Sequence, residues 1–191
     1  MNEGSRRFAE AMRCLDAGKA EEALQIGNEL AASADEADKI SGYLCLAYVY
    51  EDAAKSDERK FELALHYFRN VSLLVDDVEA LCNVARVLFK MGRFDDCIDF
   101  LRRAEAVQSS AVVLLGFAHY YRCKPNPDLV ISKHYYFRAG IHGRFAGFFG
   151  YSDVARELGQ HGRAVLVSTL RIAFGWLIAM AIGDRALQRF I

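Results

Sequence analysis

Residues 78–107 read VEALCNVARVLFKMGRFDDCIDFLRRAEAV. Apolar residues fall at Leu81, Val84, Ala85 and Leu88, then at Phe94, Cys97, Ile98, Leu101 and Ala104. Steps of three and four place each set on one face of a helix. Met91-Gly92-Arg93 separates the two sets, and glycine is the usual residue just past a helix end. The stretch therefore predicts two antiparallel helices joined by a tight turn. The small residues Ala85 and Cys97 are the expected points of closest approach.

The same pattern spreads outward. Phe8, Ala11, Met12 and Leu15 make one stripe, Gly18 breaks it, and Ala20, Ala23, Leu24 and Leu30 make the next, giving a hairpin over Ser5 to Leu30. Asp35 to Leu74 predicts a second hairpin with a longer polar connection, Asp52 to Lys60. Ser110 to Gly143 predicts a fourth, and Arg144 to Leu158 a further first helix ending at Gly159. Three helix starts are expected from capping chemistry: Ser33 with Glu36, Asp76 with Glu79, and Asn126-Pro127.

The central hairpin resembles the tetratricopeptide repeat, a helical hairpin of about 34 residues. So does the turn Asp16-Ala17-Gly18-Lys19-Ala20 followed by Glu22-Ala23-Leu24. The step from Ala64 to Cys97, about 33 residues, is close to the same period. In the fourth hairpin Leu115-Gly116, Tyr120, Asp128, Lys133, Tyr136, Ala139, Gly143 and Ala146 resemble the SEL-one-like variant, with His134 and Tyr135 departing from it. The resemblance covers residues 5–160, within a repeat domain drawn at 1–160. It implies an all-α, right-handed superhelical solenoid of about five antiparallel helix pairs whose concave face holds a peptide or protein. Asn83, Arg86 and Lys90, three and four apart on a first helix, are candidate contacts, with Tyr120 and Tyr121.

The chain has 191 residues, 53% hydrophobic and 26% charged, enough for a real core. Only two prolines occur, which favours helix. Five scattered cysteines form no CxxC and are read as small, reduced core residues in a cytoplasmic setting. The start, MNEGSRRFAE, shows no signal-peptide pattern. Charge is uneven: Met1 to Ser110 carries 14 basic and 21 acidic side chains, and Ala111 to Ile191 carries 10 and 4. The basic second half suits an anionic partner or membrane surface.

No phosphate loop, dinucleotide glycine fingerprint, HExxH or GxSxG is present, so no enzyme, cofactor or metal is expected. His119 and Cys123 lie one turn apart but are too few for a metal site. The aromatic-rich segment Phe117 to Tyr151 is expected to fill core or to meet a protein or membrane, with nucleic acid disfavoured.

Residues 161–191 stand apart as a hydrophobic C-terminal helix. Ala164 to Gly183 holds one charge, Arg171, and Ile172 to Ile182 is wholly apolar, with Trp176 inside it. A helix of about 20 residues reaches about 30 Å, one bilayer core. Insertion energies of the apolar residues, about 3–5 kcal/mol together, are nearly cancelled by Arg171 at about 2.5–3.5 kcal/mol. Gly175, Ala179 and Gly183 fall four apart and permit close helix contact. Three fates stay open for this helix: membrane insertion or docking, a protein partner or self-association, and burial in the chain. The expected function is a non-enzymatic interaction scaffold, the alternative a membrane-anchored or membrane-docked accessory subunit.

Overall fold

The structure is a computed structural model that describes residues 3–75 and 77–182; for residues 171 and 173–182 it describes the helical backbone alone. All the regular structure among the described residues is helical: α1 Glu3–Asp16, α2 Ala20–Ala31, α3 Glu36–Ala53, α4 Lys60–Leu74, α5 Val78–Lys90, α6 Phe94–Val107, α7 Ala111–Cys123, α8 Leu129–Ile141, α9 Ala146–Glu157 and α10 His161–Ile182. Two compact units divide at Arg93 and Phe94. The break falls inside the stretch that reads as one hairpin. Ala85 and Cys97, expected face to face, are each buried within a separate unit.

In the first unit α1 packs on α2 and α3, α2 on α3, α3 on α4, and α4 on α5. Ala11, Ala23, Cys45 and Val49 are buried at its N-terminal end, with Phe8, Met12, Leu15 and Leu24 around them. Leu46, Leu65, Phe68, Leu81, Val84 and Leu88 carry the core onward. Alanines at positions 11, 23, 47 and 64 let the helices come close. The tightest crossing is α2 on α3. A Cβ on Gly42 would stand 2.2 Å from the Ala31 nitrogen and 2.8 Å from the Gly27 carbonyl oxygen.

In the second unit α6 packs on α7, α7 on α8, α8 on α9, and α9 on α10. Tyr136, Val154 and Ala118 centre its core, flanked by Leu115, Leu129 and Leu158. A glycine crossing recurs here. A Cβ on Gly147 would lie 2.4 Å from the Tyr136 carbonyl oxygen and 2.5 Å from the Gly140 nitrogen, so the backbones of α8 and α9 nearly touch.

The expected glycine turn holds. Gly92 has φ 71°, a left-handed conformation costly for other residues. Its amide donates to the Phe89 carbonyl at 3.0 Å, and the next amide, Arg93, to Leu88 at 2.9 Å. This satisfies carbonyls that a helix end leaves open.

The three expected starts shift by one or two residues. Asp35 caps α3, accepting from the Asp38 amide at 3.0 Å, while Ser33 Oγ accepts from the Asp35 amide and organises the approach. Asp77 caps α5, accepting from Ala80 at 2.7 Å; the expected Asp76 lies outside the described residues. Asp128 caps α8, accepting from Ile131 at 2.9 Å. Asn126 is not that cap: it sits in the left-handed region at φ 60°, and Pro127 precedes the helix. In each case the carboxylate nearer the helix, with its full negative charge, takes the amides.

The hydrophobic C-terminal stretch is helical and packs on α9. Ala164 is fully buried, Ser152 Oγ donates to its carbonyl at 3.4 Å, and Ser168 Oγ lies 3.2 Å from Ser152 Oγ. Val165, Leu166, Leu170 and Ile172 are exposed. Among the described residues no helix is long and apolar enough to cross a membrane. The side chains of Arg171, Trp176 and Ala179, the surroundings of Gly175, and all of Gly183 lie outside the described residues.

Candidate binding surface

The first helices of the first unit, α1, α3 and α5, line one cleft of about 350 Å³. Met12, Leu15 and Asp16 come from α1, Tyr48, Glu51 and Asp52 from α3, and Arg86 and Lys90 from α5; Lys55 closes it just past the end of α3. The side chains reach this face because each helix turns its other stripe into the core: Cys45, Leu46 and Val49 on α3, Val84 and Leu88 on α5.

Glu51 organises the cleft. It is 7% exposed, and a carboxylate is rarely so buried without partners. Arg86 Nη1 and Lys90 Nζ both donate to Glu51 Oε1, Lys90 at 2.7 Å. A second Arg86 nitrogen donates to Asn83 Oδ1 at 3.2 Å. The Arg86 guanidinium also lies 5.9 Å from the Tyr48 ring centre and 5.5 Å from that of Phe68. Both separations fall within cation–π range. Two cations against one carboxylate leave the cluster with one excess positive charge. Asp52 and Lys55 pair beside it. Apolar Met12 and Leu15 line the same cleft from α1. A lining of this mixed kind can hold an extended chain by polar contacts together with side-chain burial.

Asn83, Arg86 and Lys90 are thus brought together, as their spacing suggests, but the two cations are tied to a buried carboxylate. Tyr120 and Tyr121 belong to the second unit and to its hairpin packing. Tyr121 stacks on Tyr135 at 5.7 Å and 4°, and Tyr135 on Phe117 at 5.1 Å, so the α8 ring inserts between two α7 rings one turn apart. Tyr120 sets its edge against Tyr121 at 5.2 Å, and Lys124 lies 5.4 Å from the Tyr121 ring centre. Sequence reading named only Arg86 and Lys90 of the residues lining the cleft, and missed Glu51 and Tyr48 on α3 as well as Met12, Leu15, Asp16, Asp52 and Lys55. The signal was available: Glu51 falls on the stripe of Leu44, Ala47 and Tyr48, where a carboxylate needs an explanation.

The aromatic segment divides as well. Tyr136 and Phe117 are buried, while Phe137 and Phe149 are exposed. His119 Nδ1 lies 3.0 Å from the Tyr136 hydroxyl. Among the described residues no three His, Cys, Asp or Glu side chains gather as a metal site. None of the five cysteines is in a disulfide. Cys45 and Cys97 are buried, but Cys123 is exposed and is not the core residue expected, because it ends α7 beyond the last covered turn. Burial pushes the thiols of Cys45 and Cys82 up to about 11.

No family model matches the sequence, and no curated protein matches it. Solved structures do. The chain is similar to a thermophilic TPR protein of Thermus thermophilus, at 18% identity and TM-score 0.69, covering 80% of this chain and 81% of that one. It is similar to MamA of Desulfovibrio magneticus, at 17% identity and TM-score 0.63, covering 91% and 96%. It is also similar to the nearly identical TPR-like repeats of a Podosopora anserina protein assigned as a kinesin light chain, at 14% identity and TM-score 0.67, covering 95% and 99%. At these identities the likeness is one of fold: the chain has the tetratricopeptide-like, all-helical repeat fold.

Proposed function

We propose that the chain is a non-enzymatic scaffold that holds a peptide or protein segment on the α1, α3 and α5 face of its first unit. The carrying observation is the cleft itself, which three consecutive first helices line with apolar Met12 and Leu15 and with the Glu51, Arg86 and Lys90 cluster. The tetratricopeptide-like fold supports protein partners in general. Cysteines without disulfides suit a cytoplasmic setting. We read the α7–α8 hairpin as a SEL-one-like repeat, supported by buried Tyr136 and Ala139.

The test places a photo-crosslinking residue at Asn83, whose side chain meets Arg86 of the cleft, or at exposed Glu21 on α2. Adducts from position 83, absent from position 21 and lost in a Glu51→Gln, Arg86→Gln, Lys90→Gln variant that neutralises the whole cluster and keeps the parent's circular dichroism spectrum, support the reading. Equal adducts from both positions, or adducts indifferent to loss of the charge cluster, overturn it.

A second reading attaches to α10, whose Val165, Leu166, Leu170 and Ile172 are exposed. A helix with that face suits an accessory subunit of a membrane-bound assembly. Leu166→Asp should release the chain from such an assembly in detergent extracts; retention would remove the reading.

A further inference from the structure

We infer that the hairpin of α8 and α9 is a docking surface for an anionic membrane, at a place separate from the scaffold cleft and from α10. Exposed apolar side chains are unevenly distributed. Of the large ones exposed among the described residues, five lie on α8 and α9 (Val130, Ile131, Phe137, Ile141 and Phe149) and three in the whole first unit. Concentrated exposure of this kind marks an interaction surface.

The patch at the turn is continuous. Phe137 is 41% exposed, and Ile141, one turn further along α8, is 59% exposed. The Phe137 ring meets Phe148 at 6.2 Å, and Phe148 meets Phe145 at 6.2 Å across the turn. Phe149, 43% exposed, sits on the same turn of α9. The near contact of Gly140 and Gly147 backbones holds the two helices together, so the patch is formed before any partner arrives.

Charge says what covers it. From Leu129 to Glu157 the acids are Asp153 and Glu157, paired with Arg156 and Arg122, which leaves the cations Lys133, Arg138 and Arg144. Among the described residues none of the three cations meets a carboxylate: Lys133 donates to the amide oxygen of Gln160, and Arg138 lies 6.0 Å from the Tyr135 ring centre. Exposed phenylalanine and isoleucine beside uncompensated cations match the two terms of interfacial binding, burial of apolar side chains at the headgroup boundary and attraction to anionic lipid. Phe137 is engaged by Phe148 at 73° and by Tyr151 at 54°. A bilayer accepts a rigid apolar turn without a complementary groove.

The experiment is vesicle flotation of the full chain. Vesicles of phosphatidylcholine with about 30% phosphatidylserine are compared with pure phosphatidylcholine at about 0.1 M salt, where surface charge still acts over about 10 Å. The expected result is binding to the anionic vesicles, at least about tenfold weaker on neutral ones. Arg144→Glu should reduce binding about fivefold or more, from the loss of one cation near the surface. Ile141→Asp should do the same, with unaltered melting because the side chain is already exposed. Leu166→Asp on α10 should leave binding intact. No flotation with anionic vesicles, flotation indifferent to Ile141→Asp, loss only in Leu166→Asp, or preference for polyuridylate over vesicles would each overturn the assignment.

Discussion

Gly42→Ala puts two physical effects in direct opposition. In an exposed helix interior, replacing glycine by alanine stabilises by roughly 0.5–1 kcal/mol, because the unfolded chain loses freedom and helix propensity rises. Gly42 is mid-helix in α3, so propensity alone predicts a gain. The crossing with α2 predicts the reverse. The new methyl would lie 2.2 Å from the Ala31 nitrogen and 2.7 Å from its Cα, both backbone atoms that cannot rotate away. Reaching ordinary contact requires the helices to part by about 1 Å, which loosens the surrounding dispersion contacts. Overpacking of this kind costs about 1–3 kcal/mol, often more where backbone must move, so the net is a loss of about 1–2 kcal/mol. In a chain of this size that lowers the melting temperature by about 3–8 °C. Gly162→Ala is the control. Gly162 lies in the first turn of α10 with nothing within 4 Å of the added carbon. The same substitution there should be neutral or stabilise by up to about 1 kcal/mol. Thermal melts followed by circular dichroism read both. A higher melting temperature for Gly42→Ala than for the parent chain would refute the close crossing.

Glu51→Gln removes the charge that Arg86 and Lys90 share. Those cations are 38% and 43% exposed and can turn to water. The expected cost in urea denaturation is therefore about 1–2 kcal/mol, below the range of about 3–5 kcal/mol typical when a fully buried pair is broken. Ala85→Leu, at a site 1% exposed, should cost about 1–3 kcal/mol by overpacking; an unchanged midpoint would mean the site has spare room. At pH 8 Cys123, which is exposed, should react first with a thiol reagent, and Cys45 and Cys82, held protonated by burial, last. The same shift acts on stability. Both folded-state thiols titrate near 11 against an ordinary 9, so their contribution is intact below about pH 9 and is lost as pH rises toward about 11. A flat stability profile across that window would contradict their burial.

Helices were legible in the sequence because a three-and-four stripe needs only local information, and Gly18 and Gly92 mark turns by the same local logic. Caps were legible to within one or two residues. Ser33, Asp35, Asp76, Asp77, Asn126 and Asp128 all offer an oxygen, and the path of the turn decides which one meets the amides. The candidate site was half legible. Asn83, Arg86 and Lys90 share a face by spacing, but their anchor, Glu51, comes from another helix 35 residues earlier than Arg86, and nothing local joins the two. Glycine is intrinsically weak inside a helix, and nothing in the sequence explains Gly27 and Gly42; only the tertiary crossing shows that a larger residue would hold α2 and α3 apart.

The break between the units at Arg93 and Phe94 bears on how the chain is made. The helix pairings that build the first unit are all encoded before Phe94. Each joins helices that are neighbours, or next neighbours, along the chain, so closing them spans short loops and costs little entropy. Synthesis proceeds from the N-terminus at about 5–20 residues per second, slower than local helix and hairpin formation. The α1, α3 and α5 face, with Glu51 already held by Arg86 and Lys90, can therefore assemble during translation, while the second unit is still being synthesised.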